Sequence, residues 1–366
     1  NTIDADTDGT VTATAVTTIT GSASEIIAIL NSGGTTSIAA DVNFIIDEDA
    51  SAANIQTIAA ATTGEITATL LSGETTLDLS ASTASTNTIT LNDDGVTVTG
   101  SDQVDDITVG AGADTLNLGL GADVVNVNSG DADGDVINTG AGDDEIFIND
   151  GAVIASDILT VDGGAGTDVL TASGTNVFTA SSLTNVSLEV NSNISFTADQ
   201  IVAAGGSISL ADTASATDEH AITVTAGTLG SVSITGLTGI TSLIVEAGVE
   251  VVLSDDAVDD LVATVAATEV LGFTPGITLG TGAVVGVTAA AKAALTSTTA
   301  GTPVIATANL TYAIKDTAAN ILAEFVADST YISGATKVTV TDAISIDDFT
   351  TINAQTSTNI ILTGGI

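Results

Sequence analysis

Apolar and polar residues alternate along most of this chain. Stretches such as "GTVTATAVTTIT", "NTITLNDDGVTVTG" and "SVSITGLTGITSLIVEAGVEVVLSDD" place an apolar side chain at every second position and are broken at Gly, Asn and Asp. That period predicts short half-buried strands joined by turns. "ATKVTVTDAISIDDF" reads the same way. A second pattern recurs between the strands: a strand, a Ser/Asp/Thr cluster, then an Ala-rich apolar segment. "ITGSASEIIAIL", "IIDEDASAANIQTIAA", "FTADQIVAA", "LSDDAVDDLVATVAA" and "IKDTAANILAEFVA" are its copies. Each predicts a helix of one to three turns after a strand. In the last copy Asp316 is the expected cap for a helix carrying Ile321, Leu322 and Phe325 on one face.

The pattern changes in the middle of the chain. "GAGADTLNLGLGADVVNV", residues 110–127, repeats a nine-residue phrase of Gly-x-Gly-x-Asp and a short apolar strand. Aspartates recur at Asp105, Asp114, Asp123, Asp135, Asp144, Asp157 and Asp168. Each is followed two residues later by an apolar side chain: Ile107, Leu116, Val125, Ile137, Ile146, Leu159 and Leu170. A turn plus a short strand, wound into a coil, puts one apolar residue per unit inside, and we expect the aspartates to line the outer turns. The chain therefore divides into a β-rich repeat region (1–99), the glycine-aspartate zone (100–171) and a second β-rich repeat region with short helices (172–366). The fold class expected is all-β, a parallel β-solenoid or β-roll with short capping helices.

Charge sharpens this picture. The 366 residues include 46 Asp and Glu against three cationic residues, for a net charge of −43. The three are Lys292, Lys315 and Lys337, and His220 is the one histidine. A composition that is 44% hydrophobic argues for a folded chain despite that charge. Equivalent positions in a coil stack at about 4.8 Å, where two carboxylates repel by about 1 kcal/mol in water and severalfold more near a protein surface. A row of them needs a counter-ion. Calcium fits, because it is a hard cation that takes six to eight oxygens from carboxylates and turn carbonyls.

The nonapeptides around Asp114, Asp123 and Asp144, with "GGAGTDVLT" at 163–171, resemble the repeats of the RTX family, whose members form calcium-bound parallel β-rolls. The resemblance covers about 70 residues and implies several Ca2+ ions. Expected ligand positions are Asp105, Asp114, Asp123, Asp135, Asp144, Asp157 and Asp168. The turn glycines Gly110, Gly112, Gly119, Gly121, Gly140, Gly142, Gly164 and Gly166 are expected to serve the same sites. Most units carry Val109, Leu118 or Thr139 where the repeat has its first glycine, and insertions at 128–134 and 149–156 interrupt the phase. Asp131, Asp133 and Asp135 in "GDADGD" offer an alternative local loop. Asp4, Asp6 and Asp8 in "DADTDG" resemble the start of an EF-hand loop, although Ala15 stands where its closing glutamate belongs; an acidic turn is the alternative.

Composition narrows the function classes. A polyanion does not bind nucleic acid. No uninterrupted apolar run is long enough for a transmembrane helix. There is no cysteine for a disulfide or a sulfur metal site. One histidine rules out an H-E-x-x-H protease helix, so we expect no enzyme. Asn185, Asn193 and Asn309 begin Asn-x-Ser/Thr triplets, which also occur by chance. The chain begins at Asn1 rather than Met, so we expect a processed or excised chain. It also resembles bacterial surface-layer proteins with RTX segments. That resemblance implies export to the cell surface, copies of itself as the main partner, and cell-surface polysaccharide as a further one. The uncharged segment "TSTNIILTGGI" is the strand expected to pair with a neighbouring subunit. The competing expectation is a monomeric, calcium-dependent adhesin stalk.

Overall fold

The computed structural model describes residues 11–32, 36–128, 134–149, 158–173, 176, 178, 181–190, 194–206, 208–210, 221–225, 231–268, 276–280, 283–288, 291, 295, 298–299, 302–303, 312–327 and 332–364. The strands are almost all parallel, and six helices lie among the described residues. This is a parallel β-solenoid architecture. The chain divides into two units, Asn1–Ser187 and Leu188–Ile366.

In the first unit, successive strands fall alternately on two parallel sheets. One runs Thr18–Gly21, Asn43–Ala50, Glu65–Leu70, Thr86–Thr90, Val104–Thr108, Val124–Val127, Glu145–Ile148, Val169–Ala172. The other runs Thr76–Asp78, Thr97–Thr99, Thr115–Leu120, Val136–Ala141, Thr160–Asp162, Ser182–Thr184. From Glu65–Leu70 onward each coil contributes one strand to each sheet, whereas helices follow Thr18–Gly21 and Asn43–Ala50; in the glycine-aspartate zone two nonapeptides make a turn of the coil. Both sheets continue from the glycine-aspartate zone into the strands before it, with no break near residue 99.

Alternation decides which side chains are inside. Ile89, Ile107, Val125, Ile146 and Leu170 form one buried column, and Val98, Leu116, Ile137 and Val161 face it from the other sheet. The positions occupied by Val109, Leu118 and Thr139 are also buried, which is why they take core side chains rather than glycine. Register corrects one phase. Ile137 pairs with Val161, not with Leu159, so Leu159 stands at the aspartate position of its coil. Asp157 lies outside the described residues.

The strand-cap-helix copies form as expected. Ser22 caps Ala23–Leu30 in a capping box with Glu25, Ser51 caps Ala52–Ala59, and Thr197 pairs with Gln200 at Ala198–Ala203. Ser254 bonds the Ala257 N–H at the start of Asp255–Thr268. At Ala318–Ala327 the cap is Thr317, whose hydroxyl accepts the Asn320 N–H. Asp316 instead accepts from the Thr317 N–H and the Asn320 side chain. Ile321 is buried there, while Leu322 and Phe325 are half-buried. A further helix, Ile346–Asn353, replaces the strand read in "ISIDDF", because the Ser345 hydroxyl accepts the Asp348 N–H and closes its first turn.

The second unit contains a four-stranded parallel sheet, Ile194–Thr197, Ala221–Thr225, Ser242–Val245, Gly276–Leu279. A six-stranded one runs Ser231–Ile234, Glu250–Leu253, Val284–Val287, Tyr312–Asp316, Lys337–Val340, Ile360–Leu362. Its strands come from different coils, and Lys337 ties two of them through an ion pair to Glu250 at 2.7 Å. Ile360–Leu362 pairs with Lys337–Val340 and is the outermost strand of that sheet. Among the described residues no helix is long and apolar enough to cross a membrane.

The alternation is testable. Ile146→Ala should lower stability by about 2–5 kcal/mol, whereas Phe147→Ala, on the outer face of the same strand, should cost less than about 1 kcal/mol. Urea denaturation of the two variants reads the difference.

Candidate metal centre

The nonapeptide aspartates do not line the outer turns. Asp105, Asp114, Asp123, Asp135, Asp144 and Asp168 are all buried, at 0–3% exposure. Strand geometry requires it: an aspartate two residues before a core Ile or Val shares its face of the strand. The register stacks them into two columns. One holds Asp105, Asp123, Asp144 and Asp168. The other holds Asp114 and Asp135, with Val96 before them and Leu159 after.

Each column is a hydrogen-bonded ladder. The Asp105 backbone N–H donates to Asp123 Oδ1 at 2.8 Å, 18 residues on. Asp123 donates in the same way to Asp144 at 2.8 Å, across 21 residues, and Asp144 to Asp168 at 3.1 Å, across 24. In the shorter column Val96 donates to Asp114 at 2.6 Å and Asp114 to Asp135 at 2.8 Å. The coils thus lengthen in steps of three residues while the ladder keeps its contacts. The added residues are absorbed in the connections.

Glycine is needed where coils come closest. Gly121, Gly142 and Gly166 are stacked with φ of 128°, 156° and 146°. A Cβ on Gly142 would fall on the carbonyl oxygen of Gly121, and one on Gly166 on that of Gly142. Gly119, Gly140 and Gly164 form a parallel column one step earlier, in which a Cβ on Gly140 would strike the Gly119 carbonyl. The turns therefore present main-chain oxygens close to the carboxylates. Gly110 and Gly112 occupy the corresponding turn before Asp114, where Gly110 N–H donates to Asp114 Oδ2 at 3.2 Å. Exposed acids tie the turns from outside: Asp143 accepts the Thr167 N–H at 2.9 Å and Asp93 the Ala111 N–H at 3.2 Å.

The electrostatics are unfavourable as they stand. Residues 1–187 contain no lysine, arginine or histidine. Burial pushes Asp123 up from 3.8 to about 8; the Asp105 N–H opposes this, and the neighbouring charges of Asp105 and Asp144 add to it. Burial likewise raises Asp105 against its hydrogen bonds from Ser101 and Asn87. Asp168 is raised by burial, with the charges of Asp144, Asp143 and Asp162 adding. Oδ2 of Asp123 and of Asp144 is buried with no hydrogen-bond partner. A buried carboxylate oxygen in that state needs a proton or a cation.

The donor set is compatible with a hard cation that takes most of its ligands from the main chain. Among the described residues no three acidic or imidazole side chains converge closely enough to hold a metal by themselves. Turn carbonyls would have to complete any site, and the glycine columns bring them near. The two oxygens of Asp114 are met by the main-chain N–H groups of Val96 and Gly110. Asp105 differs from it in having side-chain donors, and from Asp123 and Asp144 because both of its oxygens are met, by Asn87 and Ser101. These two residues were not singled out from sequence, although Asn87 lies 18 residues before Asp105, in phase with the repeat. Asp131 and Asp133 lie outside the described residues, as do Asp4, Asp6, Asp8, His220, Asn193 and Asn309. No family model matches the chain, and neither a curated protein nor a solved structure matches it.

Two outcomes follow for the chelated protein. The folded-state value of Asp123 lies above its unfolded one, so its contribution to stability is full below about 3.8 and is lost as pH rises to about 8. At about 1.4 kcal/mol per pKa unit the loss is on the order of 5 kcal/mol. Denaturation in chelator at a series of pH values from about 4 to about 9 should show stability falling throughout. Separately, Gly142→Ala should destabilise by about 3 kcal/mol or more. Gly73→Ala has φ of 90° and nothing within 4 Å of its Cβ, and should cost about 1 kcal/mol in the same melts.

Proposed function

We propose that the aspartate ladders are columns of calcium sites and that the chain is a secreted structural protein of a bacterial surface layer or extracellular filament, built from copies of itself. The observation that carries this reading is the pair of buried, donor-free oxygens on Asp123 and Asp144 in a unit without a cationic side chain. Asp123, Asp144 and Asp168 would hold the ions with carbonyls of the turns around Gly119, Gly121, Gly140, Gly142, Gly164 and Gly166. Asp114 and Asp135 would do so in the second column with the turn around Gly110 and Gly112. A bound calcium ion supplies two positive charges and accepts six to eight oxygens in a flexible arrangement.

Sites that lean on neutral carbonyls bind weakly and belong where calcium is millimolar, outside the cell. Each such site, saturated at 100 times its Kd, adds about 2.7 kcal/mol. The role follows from the architecture. A stack of coils with no recognisable reaction centre among the described residues suits a spacer or a building block, and the outermost strand Ile360–Leu362 offers a β edge to a second copy. Cell-surface polysaccharide is the further partner of such a layer.

Calorimetric titration with calcium should give binding heat, and the melting temperature should rise in calcium and fall in chelator. Asp123→Asn should melt higher than the parent in chelator at pH above about 8, because a buried charge is gone, yet gain less from calcium. A melt indifferent to chelator would sink the reading. Electron microscopy then addresses the role. Sheets or fibres in calcium that dissolve in chelator support self-assembly, and truncation after Thr356 should abolish them. A monomer that binds a surface glycan in calcium supports an adhesin stalk instead.

A further inference from the structure

The two aspartate columns begin at the same level of the stack. In register before Asp105 stand Asn87, then Ile66, then Phe44. Before Asp114 stands Val96. Inward positions therefore change from apolar to acidic within one coil, and Asn87 sits at the junction of the longer column.

The hydrogen bonding at that junction is complete, and all of its donors are neutral. Asp105 Oδ1 accepts from Asn87 Nδ2 at 2.7 Å and from Ser101 Oγ at 3.3 Å. Its Oδ2 accepts from the Ser101 N–H at 2.7 Å and from Ser101 Oγ at 3.2 Å. Asn87 is itself held, because its Oδ1 accepts from Ser82 Oγ at 2.8 Å. One coil later the place of Ser101 is taken by Gly119, which has no hydroxyl, and Oδ2 of Asp123 has no donor. Two turns before the junction are closed without charge as well. Thr62 Oγ1 donates to the Val42 carbonyl at 2.6 Å and accepts the Gly64 N–H at 2.9 Å, and Thr83 Oγ1 donates to the Thr62 carbonyl at 2.8 Å.

We infer that Asn87 and Ser101 substitute for the cation at the head of the ladder, so that the strands from Asn43 to Thr108 fold without metal and template the coils from Asp114 to Ala172, which require it. The inference rests on the calcium reading above. Asp105 is then a structural terminus rather than a metal ligand. The two residues are positioning groups: they fix the first carboxylate at the height and orientation that the next coil's N–H and ion must meet.

Hydrogen exchange of the full chain, read by mass spectrometry in calcium and in chelator, tests this. In chelator, amides of 43–108 should stay protected while those of 114–172 lose protection by about 100-fold or more, the factor that saturation at 100 times Kd supplies for a single site. Asn87→Asp places one more carboxylate in the column. It should extend the chelator-sensitive region back to Thr86–Thr108, with protection regained in calcium, which separates the effect from simple misfolding. Ser101→Ala should lower protection of Val104–Thr108 in chelator by about 10-fold through the lost hydroxyl donor. Uniform loss, or uniform retention, across 43–172 in chelator overturns the inference, as does an unchanged profile for Asn87→Asp. If calorimetry finds calcium binding alongside a uniform profile, the inference alone fails. If it finds no binding, the calcium reading fails and takes the inference with it.

Discussion

The first unit depends on one constraint: carboxylates stacked in its interior must be neutralised, and no side chain of that unit can do it. Two charges about 5 Å apart in a medium of effective dielectric near 20 repel by about 3 kcal/mol, and desolvation adds to that. Backbone N–H groups from the preceding coil meet one oxygen of each carboxylate. They orient the ladder but carry only partial charge. What remains is an interior that is geometrically complete and electrostatically short of positive charge.

The other features of the unit follow from that demand. Glycines at 121, 142 and 166 let neighbouring turns approach until any Cβ there would strike a main-chain oxygen of the preceding turn. The buried aliphatic columns beside them, from Ile89 to Leu170, supply the apolar burial that the ladder does not. Before Asp105 the same coil geometry is kept with Asn87 at the aspartate position and with Thr62, Ser82 and Thr83 closing the turns. One architecture therefore runs on two chemistries, hydroxyl and amide first, carboxylate afterwards.

Much of this was legible in the sequence. The spacing from Asp105 to Asp123 set the coil length, and Ile107, Leu116, Val125, Ile137, Ile146 and Leu170 are the core positions it implied. The parity of the strand also placed the aspartates inside, but electrostatic intuition placed them outside, because an uncompensated buried carboxylate is costly. Leu159 was misphased because three-residue insertions in the connections conceal the register. Asn87 and Ser101 escaped notice because nothing in their neutral chemistry marks them until their partners are known. Helix Ile346–Asn353 was hidden by a short run of alternation, and a single serine cap outweighed that run.

The ladder also has a direction. Asp114, Asp123 and Asp144 each receive a bond from the coil before and give one to the coil after, so a copy of such a coil would find both neighbours already matched. Tandem duplication of a two-nonapeptide segment could thus lengthen the body by about 4.8 Å at a time without inventing a new interface. Length in such a protein is a matter of genetic copy number, and natural selection can tune reach without having to redesign the fold.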